Sequence, residues 1–190
     1  MATTNGLPTL KIAFEKAAAQ VANRSKKGYV AMMVRDASAQ GVHLLSSDAL
    51  IPSGLGEENK KHILTGSDRG APSLVILVVI KEGTEDTTAL EGGLKAIEQY
   101  SIDYLAGPPD VTDDEMAKMV EWVKAQRELY RTVMLVKPWK TAGSDHMGII
   151  ELDETGMTDK DGAVTAAEYC ARFAGILAGI PMGMSATYAA

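Results

Sequence analysis

The sequence predicts an α/β fold, a three-layer sandwich with a mostly parallel central sheet. Two continuous apolar runs, residues 29–34 (YVAMMV) and 73–80 (SLVILVVI), are bounded by turn-forming residues. Such runs are typical of strands that are covered on both faces in a parallel sheet. From residue 73 onward, strand patterns alternate with helix patterns. That alternation favours right-handed βαβ crossovers, which place helices on the faces of the sheet.

A separate strand pattern stands ahead of this domain. Leu10, Ile12 and Phe14 alternate with less apolar residues, which is the period of a strand with one apolar face. Pro8 stands at the start, where a strand tolerates proline. An alanine-rich stretch and a polar link at residues 23–28 follow. We therefore expect residues 1–27 to form an extended N-terminal arm and linker, and residues 28–190 to form the α/β domain.

The other elements of the domain follow from the same periodicities. Residues 41–46 have the pattern of a short strand, and residues 57–64, which follow a Pro-Ser-Gly turn, have that of a short helix. Beyond residue 80 the pattern predicts a helix at 88–99, a strand at 102–106, a helix at 113–128, and strands at 132–136 and 148–152. The start of the helix at 113–128 is marked by Thr112 and Glu115, which fit a capping box because each side chain can satisfy a backbone N–H of the first turn.

The last predicted helix, at residues 165–179, starts with a second capping box formed by Thr165 and Glu168. It is apolar on nearly every side, so we expect it to be buried. Ala171, Gly175 and Gly179 fall four residues apart and form a smooth ridge that another backbone can approach closely. The helix enters a run of eighteen uncharged residues, 173–190, but glycine and proline interrupt that run. A core helix followed by a strand at 182–188 is therefore favoured over a membrane span.

Composition excludes several classes of function. The net charge of −6 and pI near 5.1 leave no broad cationic surface for nucleic acid. Cys170 is the only cysteine, so neither an internal disulfide nor a thiolate zinc cluster can form, and we interpret it as a small core residue. The N-terminal residues lack the basic start and long apolar stretch of a secretion signal, which predicts a protein made and kept in the cytoplasm.

The search for chemistry starts at the carboxyl ends of the strands, where open α/β sheets bind ligands. Neither GxGxxG after the first strand nor GxxxxGK[ST] is present, so the sequence does not predict a binding site for NAD or ATP. The histidines His43, His62 and His146 lack metal-binding spacing, and no cofactor or metal is predicted. A small-ligand-binding domain is still an alternative. The loops at these ends are residues 35–36, 81–83, 107–110 and 137–140.

A second alternative is a subtilisin-like serine hydrolase. Asp36 and Ser185 are similar in setting to the acid and nucleophile segments of that class. The histidine at a glycine-flanked helix start is missing, however, and His62 lies in a segment typical of a solvated helix edge. Ser185 without a base is not a credible nucleophile. Residues 144–146 (Ser-Asp-His) are adjacent in sequence and so cannot point at one another in triad geometry.

Six stretches resemble, in family order, the tail sheath proteins of contractile bacteriophages, prophages and phage-tail-like bacteriocins of Gram-positive bacteria. LAGPPD at residues 105–110 and AEYCARFAGILAGIP at 167–181 are the most specific parts. The remaining stretches are residues 6–14, 27–31 with 35–36, 51–52 with 58–60, and 142–150.

This resemblance implies a subtilisin-like α/β sheath core without protease activity. It implies a structural subunit that polymerises with itself in hexameric rings stacked helically around the tail tube and contracts to drive the tube through the host envelope. The implied partners are other copies, the tail tube protein, the baseplate and the tail terminator, with no nucleic acid and no membrane. The implied location is the virion tail, assembled in the host bacterial cytoplasm.

The resemblance also gives the N-terminal strand a role. Extended arms in the family complete sheets in neighbouring subunits, which implies that Leu7, Leu10, Ile12 and Phe14 anchor a strand donated between subunits. An edge strand of its own domain is the alternative. The resemblance further implies a longer protein, because sheath proteins of this group continue for roughly as long again past the stretch that matches residues 184–188. We therefore expect the C-terminal sheath domain, with the tube contacts and the second arm, to be absent from this sequence.

Overall fold

The computed structural model describes residues 28–68, 72–83, 87–139, 144–153, 156–159 and 162–180. The strands predicted at residues 7–15 and 182–188 lie outside the described residues, so the arm is still a prediction. The described elements are, in chain order, β1 (Tyr29–Arg35), β2 (Gly41–Leu45), a 3₁₀ helix (Asp48–Leu50), α1 (Glu57–Asp68), β3 (Leu74–Ile80), α2 (Thr88–Ile97), β4 (Tyr104–Ala106), α3 (Asp113–Glu128), β5 (Met134–Pro138), β6 (Ile149–Leu152), β7 (Thr158–Asp159), β8 (Gly162–Ala163) and α4 (Ala166–Gly179).

Six of the described strands form one sheet in the order β2-β3-β1-β4-β5-β6. The strands from β3 to β6 in that order pair in parallel, whereas β2 pairs antiparallel with β3 at one side. β7 and β8 form a separate two-stranded antiparallel ribbon. The predicted mostly parallel sheet is therefore confirmed.

Helices cover both faces of the sheet, as the continuous apolar runs predict. On one face, Ala31 and Met33 of β1 pack with the buried residues of α2 and α3. On the other face, Val30 and Met32 pack with Ile63 of α1 and the small residues of α4. Since neighbouring residues of a strand point to opposite faces, β1 needs apolar side chains at every position. The three-layer α/β sandwich is confirmed.

The predicted starts of two helices agree with the structure, whereas the predicted bounds of α1 and β5 do not. Both capping boxes form, at Thr112 with Glu115 and at Thr165 with Glu168. α1 continues to Asp68, beyond the predicted end at residue 64. The strand predicted at 132–136 is instead Met134–Pro138. It can extend through a lysine because that lysine is paired with a carboxylate on the neighbouring strand, as described below.

The last helix, α4, was expected to be buried, and the structure meets this expectation only in part, because one side of the helix is buried and the other is partly exposed. The small residues of the ridge are enclosed, including Ala171, Gly175 and Gly179. Phe173 and Leu177 are partly exposed at the border of the same core. The reason is geometric: the ridge lets α4 lie close to the sheet and α1, and this close approach leaves the bulky side chains at the sides of the helix.

Candidate functional site

Arg35, the last residue of β1, joins three loops at the carboxyl edge of the sheet. Its Nε atom donates to Asp110 Oδ1 at 3.0 Å, and its Nη1 atom donates to the carbonyl oxygen of Gly83 at 2.8 Å. These partners follow β4 and β3, the two strands that flank β1. The predicted loops at 35–36, 81–83 and 107–110 therefore meet, and the side chain that connects them is a nearly buried guanidinium, 5% exposed.

Glu115 connects this cluster to the start of α3. Arg35 Nη2 donates to Glu115 Oε1, and the Glu115 side chain is fully buried. The other carboxylate oxygen accepts from the backbone N–H and the hydroxyl of Thr112, at 3.0 and 3.2 Å. A guanidinium and two further donors thus take the place of water around this enclosed carboxylate. The sequence predicted the capping box, but it carried no signal for a partner 80 positions away.

Asp36 is held as a structural acceptor. Its carboxylate accepts from the backbone N–H groups of Ser38 and Gly56, at 2.9 and 2.8 Å, and from Asn59 Nδ2 at 3.0 Å. The bonds from Gly56 and Ser38, followed by the bond from Asn59, hold the pKa of Asp36 below its ordinary value. Such an arrangement fixes the turn after β1.

The described contacts of the three histidines do not complete a triad with Asp36. His43 Nε2 lies 2.8 Å from the carbonyl oxygen of Ala39, and His146 Nδ1 accepts from the Gly148 N–H at 3.1 Å. The prediction of a solvated position for His62 is wrong, because His62 is 8% exposed under α4. Burial lowers the pKa of His62 to about 4, although the carboxylate of Glu168 acts in the opposite direction. Ser185 lies outside the described residues.

Lys137 is the second buried cation at this edge. It is 2% exposed, and its Nζ atom lies 2.9 Å from Glu151 Oε1. The two residues are direct register partners on β5 and β6, and Glu151 also accepts from the Ser144 N–H at 2.6 Å. Burial acts to raise the pKa of Glu151, but the hydrogen bonds from Lys137 and Ser144 outweigh it and the pKa is lowered. Lys137 therefore belongs to the sheet, and not to the ligand loop predicted at 137–140.

Cys170 lies in the core, as predicted. It is 2% exposed, and burial raises the pKa of its thiol to about 12. In the described ranges, no group of three or more His, Cys, Asp and Glu side chains could hold a metal ion. Among the helices that the structure describes, none has the length and apolar character needed to cross a membrane.

Two features of the described part suit contacts with another chain. β2 and β6 are the outer strands of the sheet, and an outer strand presents unpaired backbone groups that can accept an added strand. The side of α4 that carries Phe173 and Leu177 is partly exposed. Leu7, Leu10, Ile12 and Phe14, the residues predicted to anchor a donated strand, lie outside the described residues.

A comparison with curated proteins identifies a relative over nearly the entire chain. The tail sheath protein of Clostridium phage phiCD119 is 31% identical over 188 residues, which is 97% of this chain and 51% of that protein. The chain thus spans about half the length of the curated relative that it matches. No protein-family model matches the chain.

Solved structures with a similar fold are also sheath proteins. The sheath tail protein from Listeria innocua has a TM-score of 0.70 at 14% identity, over 88% of this chain and 60% of that one. The sheath tail protein from Desulfitobacterium hafniense has a TM-score of 0.64 at 14% identity, over 82% and 60%. The helical sheath of the anti-feeding prophage in its contracted state has a TM-score of 0.52 at 13% identity, over 80% and 48%. At these identities the likeness establishes the fold alone.

Proposed function

We propose that this chain, a homologue of phage tail sheath proteins that spans about half of their length, is a structural subunit of a contractile tail sheath. Copies assemble as hexameric rings stacked helically around the tail tube, and contraction of this array drives the tube through the host envelope. The observation that carries the proposal is the alignment of 188 residues at 31% identity with a phage tail sheath protein.

The subunit acts without catalysing a reaction. A catalytic role could be considered for Asp36 and for the Arg35–Glu115 pair. The hydrogen bonds described for these groups, however, go to loops and helix starts. Buried groups with this many partners stabilise a backbone and are poorly placed to accept a proton from a substrate. This arrangement supports a structural function.

The partners proposed here follow from the family. They are other copies of the chain, the tail tube protein, the baseplate and the tail terminator, in a virion tail that is assembled in the host bacterial cytoplasm. Support for self-assembly comes from the similarity to a protein solved as a contracted helical sheath.

The arm at residues 1–27 links the copies. Leu7, Leu10, Ile12 and Phe14 would anchor a strand that is added to the sheet of a neighbouring copy, with the main chain supplying affinity and the alternate side chains supplying register. The alternation of these residues ahead of the α/β domain supports the proposal. A strand outside the domain keeps copies connected while their domains change position.

Electron microscopy of the purified protein tests the proposed assembly. We expect rings or tubes at high protein concentration, because identical subunits with heterologous contacts form rings or helical arrays. Stable monomers under all conditions, without rings or tubes, would contradict the proposed function.

A deletion tests the arm separately. Removing residues 1–16 should abolish assembly and leave the circular dichroism spectrum of the α/β domain intact. Removing only residues 1–6 is the matched control, since it keeps the alternating segment. Equal assembly of both deletions with the intact chain would exclude strand donation by this segment.

A further inference from the structure

Gly28, the residue just ahead of β1, is held from three sides. Its N–H donates to the carbonyl oxygen of Ala178 near the end of α4, and its carbonyl oxygen accepts from the N–H of Ser73, just ahead of β3, at 3.0 Å. On the other side, the carboxylate of Asp103, just ahead of β4, accepts from the Tyr29 N–H at 2.7 Å. We call these five residues the amino-end clamp, because they fix the start of β1 to β3, β4 and α4 together.

The clamp needs a glycine at residue 28 because its neighbours approach so closely. A Cβ atom on Gly28 would lie 2.8 Å from Asp103 Oδ2 and 3.3 Å from the carbonyl oxygen of Ala178. The φ of Gly28 is not positive, so the glycine is required for this close approach and not for an unusual backbone conformation. A larger residue would push the Asp103 carboxylate away from the Tyr29 N–H or displace the end of α4.

The carboxyl end of α4 depends on the same clamp. The last carbonyl oxygens of a helix have no partner within the helix. The Leu177 oxygen accepts from the Ile180 N–H, whereas the Ala178 oxygen receives its donor from Gly28. Ala178 is 1% exposed, so water could not easily replace that donor. The last helix is thus completed by the residue at which the N-terminal arm joins the domain.

The clamp also brings two connection points together. Residues 1–27 join the domain at Gly28, and the chain leaves α4 at Ile180, two residues after Ala178. The hydrogen bond between Gly28 and Ala178 links these two points directly. A displacement of the arm therefore acts on the end of α4 as well as on β1.

We propose that the amino-end clamp anchors the arm to the domain and couples the position of the arm to the carboxyl end of α4. A force on residues 1–27 reaches Gly28 before it reaches β1. Gly28 passes it to the residues ahead of β3 and β4 and to α4, so β1 keeps its register while the arm is pulled. The coupling is carried by a continuous set of hydrogen bonds. Its use in holding a neighbouring copy rests on the proposed function, but the coupling itself does not.

Amide hydrogen exchange of the 190-residue chain tests the coupling. Gly28→Ala adds a Cβ atom for which the clamp has no room, so the contact with Ala178 should open. Residues 176–180 should then exchange about tenfold faster or more, because the end of α4 loses its donor. Gly92→Ala is the matched control, since a Cβ atom on Gly92 meets nothing within 4 Å. Its exchange at residues 176–180 should equal that of the parent chain.

A second variant loosens the clamp without adding an atom. Asp103→Ala removes the acceptor of the Tyr29 N–H and cannot introduce a clash, so it serves even if Gly28→Ala does not fold. It should also speed exchange at residues 176–180 while leaving α3 unchanged, which separates opening of the clamp from loss of the fold. Parent-level exchange at residues 176–180 in Asp103→Ala, or in a folded Gly28→Ala, would overturn the coupling and leave the proposed function standing.

Electron microscopy of the same variants tests the use of the clamp between copies. Gly28→Ala should raise the protein concentration at which rings or tubes appear by about tenfold, and Gly92→Ala should not. A Gly28→Ala chain that exchanges faster at residues 176–180 and yet assembles like the parent would overturn this use. A parent chain that never assembles would overturn it together with the proposed function, and hydrogen exchange would still decide the coupling.

Discussion

Replacing Glu115 with alanine should destabilise the fold far more than the loss of a helix cap. The substitution removes the fully buried carboxylate that pairs with Arg35 and half of the capping box with Thr112. Breaking a buried ion pair costs about 3–5 kcal/mol, and the low end applies because Arg35 keeps Asp110 and the Gly83 carbonyl oxygen. With about 1 kcal/mol for the cap, the expected loss is about 4 kcal/mol, or about 8–16 °C in Tm.

The second capping box provides the comparison that isolates the ion pair. Glu168 occupies the same position in α4, with hydrogen bonds to Thr165 that are exposed to solvent. Glu168→Ala should therefore cost only about 1 kcal/mol. Urea unfolding of the two variants, followed by circular dichroism at pH 7, measures the difference. Equal losses would show that the Arg35–Glu115 contact adds nothing beyond helix capping.

Three further outcomes are expected. His62, whose pKa is lowered to about 4, binds a proton more readily in the unfolded chain. The free energy of unfolding should thus fall by roughly 3 kcal/mol between pH 7 and pH 4, and His62→Gln should flatten this dependence; equal slopes would refute the assignment. Cys170, with a thiol pKa raised to about 12, should react with a disulfide reagent only in denaturant, and rapid native labelling would contradict its burial. Tyr130, at the end of α3, has a φ of 62° and is 96% exposed. Tyr130→Gly should raise Tm slightly, because glycine adopts positive φ at about 1 kcal/mol less cost; a lower Tm would show that the ring stabilises the fold.

Much of the fold could be predicted because its signals are local. The apolar runs of β1 and β3 need no knowledge of their neighbours, since a strand covered on both faces must be apolar at each position. The capping boxes at Thr112 and Thr165 are equally local, because all their atoms lie within one turn. These signals located two inner strands of the described sheet and the starts of two helices.

The polar interior could not be predicted, because its pairs join distant parts of the chain. Lys137 resembles the first residue of a loop until the register of β5 and β6 places Glu151 opposite it. Arg35 shows a comparable dependence on Glu115, which is 80 positions away. Inside a protein a charge is stable only beside a partner. The sequence next to Lys137 or Arg35 does not contain that partner, so it predicts a side chain that is exposed to solvent.

The prediction for His62 failed for a related reason. Lysines precede it at residues 60–61, and these suggest a solvated helix edge. α4 presents small residues toward α1, so the two helices come close and enclose His62. The amount of burial on one helix was thus set by side-chain size on another helix more than 100 positions later in the chain.

The parallel pairing of β3, β1, β4, β5 and β6 has a mechanical consequence. A pulling force along the strand axis would load the hydrogen bonds between these strands in shear, so many bonds must break together and the sheet resists extension. The same force applied sideways at β2 or β6 would peel one bond at a time. The direction of a load relative to the strands therefore decides whether this sheet resists it or yields at an outer strand.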